Sequence, residues 1–290
     1  METSPVPVSV VIPTKDEERN IEACISSIAW AGEIIVFDSH STDATLALAE
    51  KNGARIVQRV FDTFAVHKNW ALDNIEFSHD WVLLLDADER ITDALAAEIR
   101  DAVARSDGPD GWYIARRNMF CGKWLRHGGV YPDYNLRLFR RGKARYEDRI
   151  VHEHMILDGE AGYFDNHLLH EDDKGIERYF DRHNHYTTLE AVEILRNRKR
   201  NTGARLGGSL GRQGPERRRA LKNFAQTYLP FRPVFVFIYM YIFKLGILDG
   251  RMGLRYCLLK MFFEYEIELK VKELEIPGSP LRKKFSHLLD

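Results

Sequence analysis

The chain has 290 residues, 44% of them apolar and 29% charged, with a formal net charge of -1 at pH 7. That length and apolar share allow one α/β domain with elaborations or two small domains, and they exclude a disordered chain. A balance so close to neutral excludes a generally basic nucleic-acid binder, and no nucleic-acid partner is expected.

The N-terminus, Met1 to Pro5, shows no basic region followed by a long apolar one, so no secretory signal is read and a cytoplasmic location is expected. From Val8 to about Arg105, apolar strands alternate with helical patterns in the rhythm of a mostly parallel α/β sheet. The strands predicted are Val8 to Ile12, Ile34 to Asp38, Arg55 to Val60 and Val82 to Asp86. Helices are predicted over Glu18 to Ala29, Ala44 to Asn52, His67 to Asn74 and Thr92 to Ala104. Ser41, Thr42 or Asp43 can cap the second helix, and Gly53 is placed to end it. Cys24, Cys121 and Cys257 lack paired spacing and read as reduced packing residues.

The run from Trp81 to Glu89 reads as a buried strand that delivers Asp86, Asp88 and Glu89 to its carboxyl end. Oxygen ligands packed that closely suit a hard divalent cation carrying a phosphate-bearing substrate. The competing reading is that Asp88 caps the helix that begins near Ile91, Thr92 and Asp93. A second acidic strand end, at Asp38, favours a site, because ligands of open α/β sheets bind outside strand carboxyl ends.

After Gly108 to Gly111 come shorter strand-like pieces, Trp112 to Arg116, Leu136 to Arg140 and Ala144 to Tyr146, read as an extension of the sheet. A long helix from about Ile176 to Arg200 leads into a glycine-rich stretch, Gly203 to Pro215. Arg196 to Lys222 holds ten Lys or Arg residues and one acid, Glu216. Val234 to Phe243 follows, ten apolar and aromatic residues, short of the ~20 that span a bilayer. Basic and aromatic segments side by side fit a helix lying in the headgroup region of an anionic membrane, with a buried core helix as the alternative. Residues 1–175 are thus expected to form the catalytic domain, 176–222 a helix and basic linker, and 223–290 a membrane-associating helical region.

Three segments, Val10 to Ile21, Phe37 to Asp43 and Leu85 to Glu89, together resemble family 2 glycosyltransferases of the GT-A fold. Asn135 to Arg140, Val151 to Glu153 and Gly246 to Gly250 are similar to the subgroup containing lipopolysaccharide core glucosyltransferases. The resemblance implies that Pro13 and Glu17 shape the loop under the nucleotide base and that Asp38 contacts uracil. It implies that Asp86 faces the ribose or a metal-bound water, and that Asp88 ligates Mg or Mn on the diphosphate of a UDP-sugar. His170 matches a third metal ligand, and Lys68 and Asn69 could assist the phosphates. Where the commoner motif reads Asp-Asp-Gly-Ser-Thr-Asp, this chain has Ser39 and His40 in the middle.

An inverting transfer also needs a general base for the acceptor hydroxyl, and a carboxylate suits it. The matching triplet places that base at Glu153, with Asp148 as its rival. The remaining histidines of this region, His152, His154, His167, His183 and His185, lack the spacing of a structural zinc centre. The expectation is a metal-dependent, inverting hexosyltransferase, peripheral on the cytoplasmic face of the inner membrane, acting on a lipid-linked or lipopolysaccharide-core acceptor. The alternatives are a polyprenyl-phosphate glycosyltransferase of the same fold, a nucleotidyltransferase, a haloacid-dehalogenase-type phosphatase and a non-catalytic membrane scaffold.

Overall fold

Both faces of β1 (Val6–Thr14) are buried. Val8, Val10 and Ile12 pack with Val36, Leu83, Ile21 and Cys24, while Val11 points to the other side among Ile35, Phe37, Val82 and Ala71. A strand covered on two sides reads as a near-continuous apolar run and belongs at the centre of a sheet. In the computed structural model, which describes residues 4–147, 154–171, 175–201 and 231–289, β1 lies between β2 (Ala31–Asp38) and β4 (Trp81–Leu84), parallel to both. β3 (Arg55–Gln58) extends the parallel half beyond β2.

Past β4 the sheet turns mixed, in the order β8 (Asp133–Arg140), β6 (Gly111–Phe120), β11 (Ala161–His170) and β5 (Glu89–Arg90). α1 (Ile21–Ser27) and α4 (Asp93–Ala104) cover one face through Ile21, Leu95 and Ile99. α3 (Phe64–Asn74) covers the other through Ala71. The fold is the α/β, GT-A-like arrangement that the sequence implies.

The differences are local. β4 stops at Leu84, two residues short of the predicted Asp86, because Asp86 to Glu89 closes into a turn with Glu89 N–H donating to Asp86 C=O at 2.9 Å. α4 is capped by Thr92, whose hydroxyl accepts from Leu95 N–H at 3.2 Å, so Asp88 is not its cap. At the start of α2 (Thr45–Lys51) the cap position is Ala44, and Asp43 accepts from Thr45 N–H at 3.0 Å. β11 escapes prediction because Asp165, Asn166 and His167 interrupt its apolar pattern where its register with β6 shifts between Tyr163 and His167.

The chain divides into two compact units, residues 1–126 with 130–175 and residues 127–129 with 176–290. In the second, α5 (Gly175–Asn201) packs Ala191, Val192 and Ile194 against Ile267, Val271 and Leu274 of the helix Gly250–Glu275. Lys270 ties the two together, donating to the Asn184 side chain at 2.6 Å and to Thr187 Oγ1 at 2.8 Å. Gly253 has no room for a side chain, since a Cβ there would stand 2.0 Å from the Gly246 carbonyl oxygen.

The aromatic run forms the helix Arg232–Ile238, continues as a π-helical turn over Tyr239–Phe243, and bends into the long helix that follows. It is not a core helix, as Phe235, Tyr239, Ile242 and Phe243 are all at least half exposed. Among the described residues no single helix is long and apolar enough to cross a membrane. Arg232–Phe243 and Gly246–Glu275, bent by 73°, meet the length and composition only as a pair.

A stack at the end of β2 carries one titratable group. His67, 2% exposed, lies 4.2 Å from the Phe37 ring, with Ser39 Oγ at 3.1 Å from Nε2 and Arg59 Nη1 at 3.1 Å from Nδ1. A guanidinium can only donate, so Nδ1 accepts, and the ring is neutral with its proton on Nε2 facing Ser39. Burial, then the Arg59 charge, lowers its pKa to about 4. Between pH 6.5 and 4 the unfolded chain therefore binds more protons than the folded one, and stability falls as pH falls. Across that window His67 should remove about 3 kcal/mol of stability. Urea unfolding of His67→Gln at both pH values should show that acid sensitivity reduced; an unchanged loss would contradict this account of the ring.

Candidate active site

The loops that follow β1 and β2 are laced to each other. Asp16 N–H donates to Ser41 Oγ at 2.9 Å, Glu17 N–H to Thr45 Oγ1 at 2.8 Å and Thr42 N–H to Asp16 Oδ1 at 2.8 Å. His40 sits at φ 59° and donates nothing to this lacing, but its carbonyl accepts from Lys15 Nζ at 2.6 Å. That left-handed backbone is one that glycine adopts without steric cost and histidine rarely does.

Asp38 is fully buried beneath the laced loops. One carboxylate oxygen accepts from Thr14 Oγ1 at 2.9 Å and Ser41 Oγ at 2.5 Å, and the other from Ser41 N–H at 2.9 Å and Gln58 Nε2 at 3.1 Å. Burial pushes its pKa up, yet the bonds from Ser41, Gln58 and Thr14 outweigh burial and hold it below the usual carboxylate range. Four donors fill its lone pairs, so a base that reached Asp38 would have to displace one of them. Pro13 stands opposite Phe37 in the β1–β2 register, and Glu17 accepts from Asn20 Nδ2 at 2.9 Å.

At the end of β4 the turn from Asp86 to Glu89 is braced from beneath. Glu89, 0% exposed, accepts Asp86 N–H at 3.0 Å on one oxygen and Arg137 Nη2 at 2.5 Å on the other. The same Arg137 nitrogen reaches Asp86 Oδ2 at 2.7 Å. Burial opposes ionisation of Asp86, but Arg137 and then Lys68 outweigh it and hold the carboxyl well below its ordinary range. The Asp86 side chain is still 35% exposed, so one part of it stays open to a ligand.

Asp88 projects from this turn to β11, where its Oδ2 lies 3.2 Å from His170 Nε2. β5 and β11 make the approach possible, since Glu89 pairs with His170 and Glu171 N–H donates to the Asp88 carbonyl at 3.0 Å. Burial lowers the His170 pKa, and the Asp88 carboxylate more than reverses that.

Asp88 and His170 thus meet beside the turn that begins at Asp86, and Lys68 is near enough to act on Asp86 while its Nζ lies 5.0 Å over the Tyr146 ring. Asn69 does not join them. Its amide accepts from Tyr146 N–H at 2.9 Å and donates to Tyr146 C=O at 3.0 Å, which makes it a tie to β9 (Ala144–Tyr146) and corrects its expected phosphate role. Glu153 and Asp148 lie outside the described residues.

Among the described residues no group of three or more His, Cys, Asp or Glu side chains is placed to hold a metal ion. An aspartate oxygen and an imidazole nitrogen side by side do fit a Mg or Mn ion that takes its other ligands from a diphosphate and water. The sequence assigned no role to Arg137 and counted Glu89 among the oxygen ligands of the strand end; Glu89 is instead buried and bound to Arg137, which takes it out of that set. The signal was present, because an arginine inside the buried run Leu136 to Phe139 requires a buried acid to pair with it.

The model of glycosyl transferase family 2 matches residues 9–157. A lipopolysaccharide core biosynthesis glycosyltransferase, LpsC of Rhizobium meliloti (strain 1021), is 33% identical over 202 residues, which take in 67% of this chain and 74% of the relative. A glycosyltransferase of Rickettsia bellii (strain RML369-C) is 25% identical over 212 residues, 69% of this chain and 71% of its own. Among solved structures, the Mycobacterium tuberculosis glucosyl-3-phosphoglycerate synthase in complex with Mn2+, UDP and glucosyl-3-phosphoglycerate shows 28% identity at a TM-score of 0.33. That match covers 38% of this chain and 44% of the synthase, less than half of its length. With its acidic strand ends at Asp38 and at Asp86 to Asp88, the chain belongs to glycosyl transferase family 2.

Proposed function

We propose that this glycosyltransferase is metal-dependent and inverting, and that it moves a hexose, glucose foremost, from a UDP-sugar to a lipid-linked or lipopolysaccharide-core acceptor. The observation that carries the reading is the pair Asp88 and His170, held 3.2 Å apart at the sheet end that also presents Asp86. Asp88 and His170 would hold Mg or Mn there. Bound, such an ion offsets the negative charge that grows on a departing nucleoside diphosphate without any proton transfer.

The remaining roles fall to the chain. Pro13, Glu17 and the Asp38-braced loop form the floor for the nucleotide, Asp86 meets the ribose, and Lys68 adds positive charge on the phosphate side. Glu153 is the proposed base that takes the proton from the acceptor hydroxyl, with Asp148 as the alternative. The mechanism needs attack from the face opposite the diphosphate, and a carboxylate supplied by the segment between β9 and β11 is separate from the Asp86 to Asp88 turn in the chain.

The relation to a lipopolysaccharide core enzyme supports an acceptor anchored in lipid. The exposed aromatics Phe235, Tyr239 and Phe243, with Lys244, Arg251 and Arg255 following them, support contact with an anionic membrane surface. The enzyme would then work at the cytoplasmic face of that membrane.

Release of UDP from UDP-glucose in the presence of acceptor tests the metal assignment. Asp88→Ala should lose roughly a hundred-fold or more in turnover, EDTA should abolish turnover of the unaltered chain, and Mn2+ should restore it; near-normal turnover of Asp88→Ala, or indifference to EDTA, would refute it. Flotation with lipid vesicles tests the membrane contact. The chain should float with vesicles rich in anionic lipid, less with neutral ones, and Phe235→Ser with Phe243→Ser should release it; equal recovery at the bottom of the gradient in every case would overturn the contact.

A further inference from the structure

We infer that Arg137 is a positioning residue of the donor site: it sets the Asp86 to Glu89 turn in the one arrangement that brings Asp88 to His170. The inference rests on the reading of that turn as the place where a nucleoside diphosphate and a divalent ion bind.

Arg137 comes from β8, in a strand whose neighbours Leu136, Leu138 and Phe139 are all core residues, and is itself only 6% exposed. Its Nη2 serves two carboxylates, Asp86 at 2.7 Å and Glu89 at 2.5 Å. Glu89 in turn grips the main chain of the turn, accepting Asp86 N–H at 3.0 Å, while its own N–H donates to Asp86 C=O at 2.9 Å. The first and last residues of the turn are therefore bound both to each other and to one guanidinium. Asp88 lies between them and is bonded to His170 instead. Since Glu89 is also the β5 residue in register with His170, any shift of Glu89 changes the distance across which Asp88 and His170 face each other.

Stability alone does not account for this arrangement. A buried ion pair costs desolvation that well-packed apolar residues avoid, and such replacements are often neutral or stabilising. Arg137 Nε is moreover buried with no hydrogen-bond partner, an added cost that a purely structural brace would shed. The geometry explains why the arginine is tolerated there. One guanidinium nitrogen bonds to both acids that hold the turn's ends and so fixes them relative to each other. Arg116 adds its charge from farther off, with Nη1 3.9 Å from Glu89 and Nη2 bound to Asp133 at 2.7 Å.

Loss of Arg137 alone strands Glu89 in the core, whereas Asp86 keeps a side chain 35% exposed with Lys68 nearby, so Arg137→Met is paired with Glu89→Gln, which keeps the shape of Glu89 and removes its charge. Arg137→Lys keeps a cation but cannot offer the planar fork. Three readouts are taken on each full-length variant: thermal midpoint, Mn2+·UDP binding by calorimetry without turnover, and KM against kcat for UDP-glucose. The double variant should fold with a midpoint close to that of the unaltered chain, bind Mn2+·UDP at least ten-fold more weakly, and show a matching rise in KM. Arg137→Lys should recover stability and only part of the binding. A double variant that folds and binds Mn2+·UDP as tightly as the unaltered chain would overturn the inference and leave Arg137 as packing. Absence of Mn2+·UDP binding by the unaltered chain would instead bring down the donor-site reading itself, and the role of Arg137 with it.

Discussion

A guanidinium buried in the middle of a sheet cannot stand without acids beside it, and here the acids it recruits are those at the base of the turn that ends β4. The bonds from Arg137 to Asp86 and Glu89 tie an interior strand, β8, to the carboxyl end of β4. Through the β5–β11 pairing the same turn is tied to His170. The position of Asp88 is thus a consequence of core structure and not of a free loop. Functional groups need that kind of support, since a misplacement of about 1 Å can cost a hundred-fold in rate.

The second half of the site is built differently. At the ends of β1 and β2 no buried cation is involved; two loops exchange hydrogen bonds between short polar side chains and backbone N–H groups, with Asp38 saturated underneath. Asp38 stays ionised because donors surround it, whereas Asp86 stays ionised because Arg137 and Lys68 lie near it. One strand end thus holds its acid with neutral hydrogen-bond donors, and the other with cations. The division follows from the partners that each strand end finds.

The parts of this arrangement that are local in sequence were legible. Apolar runs that end on acids, at Phe37-Asp38 and Leu85-Asp86, announced parallel strands, and β2 does end on Asp38 while Asp86 stands two residues past the end of β4. Partners far along the chain were not legible. Asn69 looked free for phosphate beside Lys68, and only the fold brings Tyr146, 77 residues away, to take both ends of its amide. His170 was reached by its resemblance, yet the strand that delivers it, β11, was missed because polar residues at 165–167 coincide with an irregular register. Arg137 stood in a quoted motif without a role, although a charge among Leu136, Leu138 and Phe139 was itself the clue.

The central claim is that Asp88 and His170 together grip the ion that accompanies the nucleotide. Pulsed electron paramagnetic resonance of Mn2+ with UDP on the chain labelled with 15N-histidine addresses it without any need for turnover. A nitrogen coupling from one histidine, lost in His170→Gln and retained in His167→Gln, is the predicted result. Manganese bound with UDP but showing no histidine nitrogen in its coordination sphere would contradict the claim.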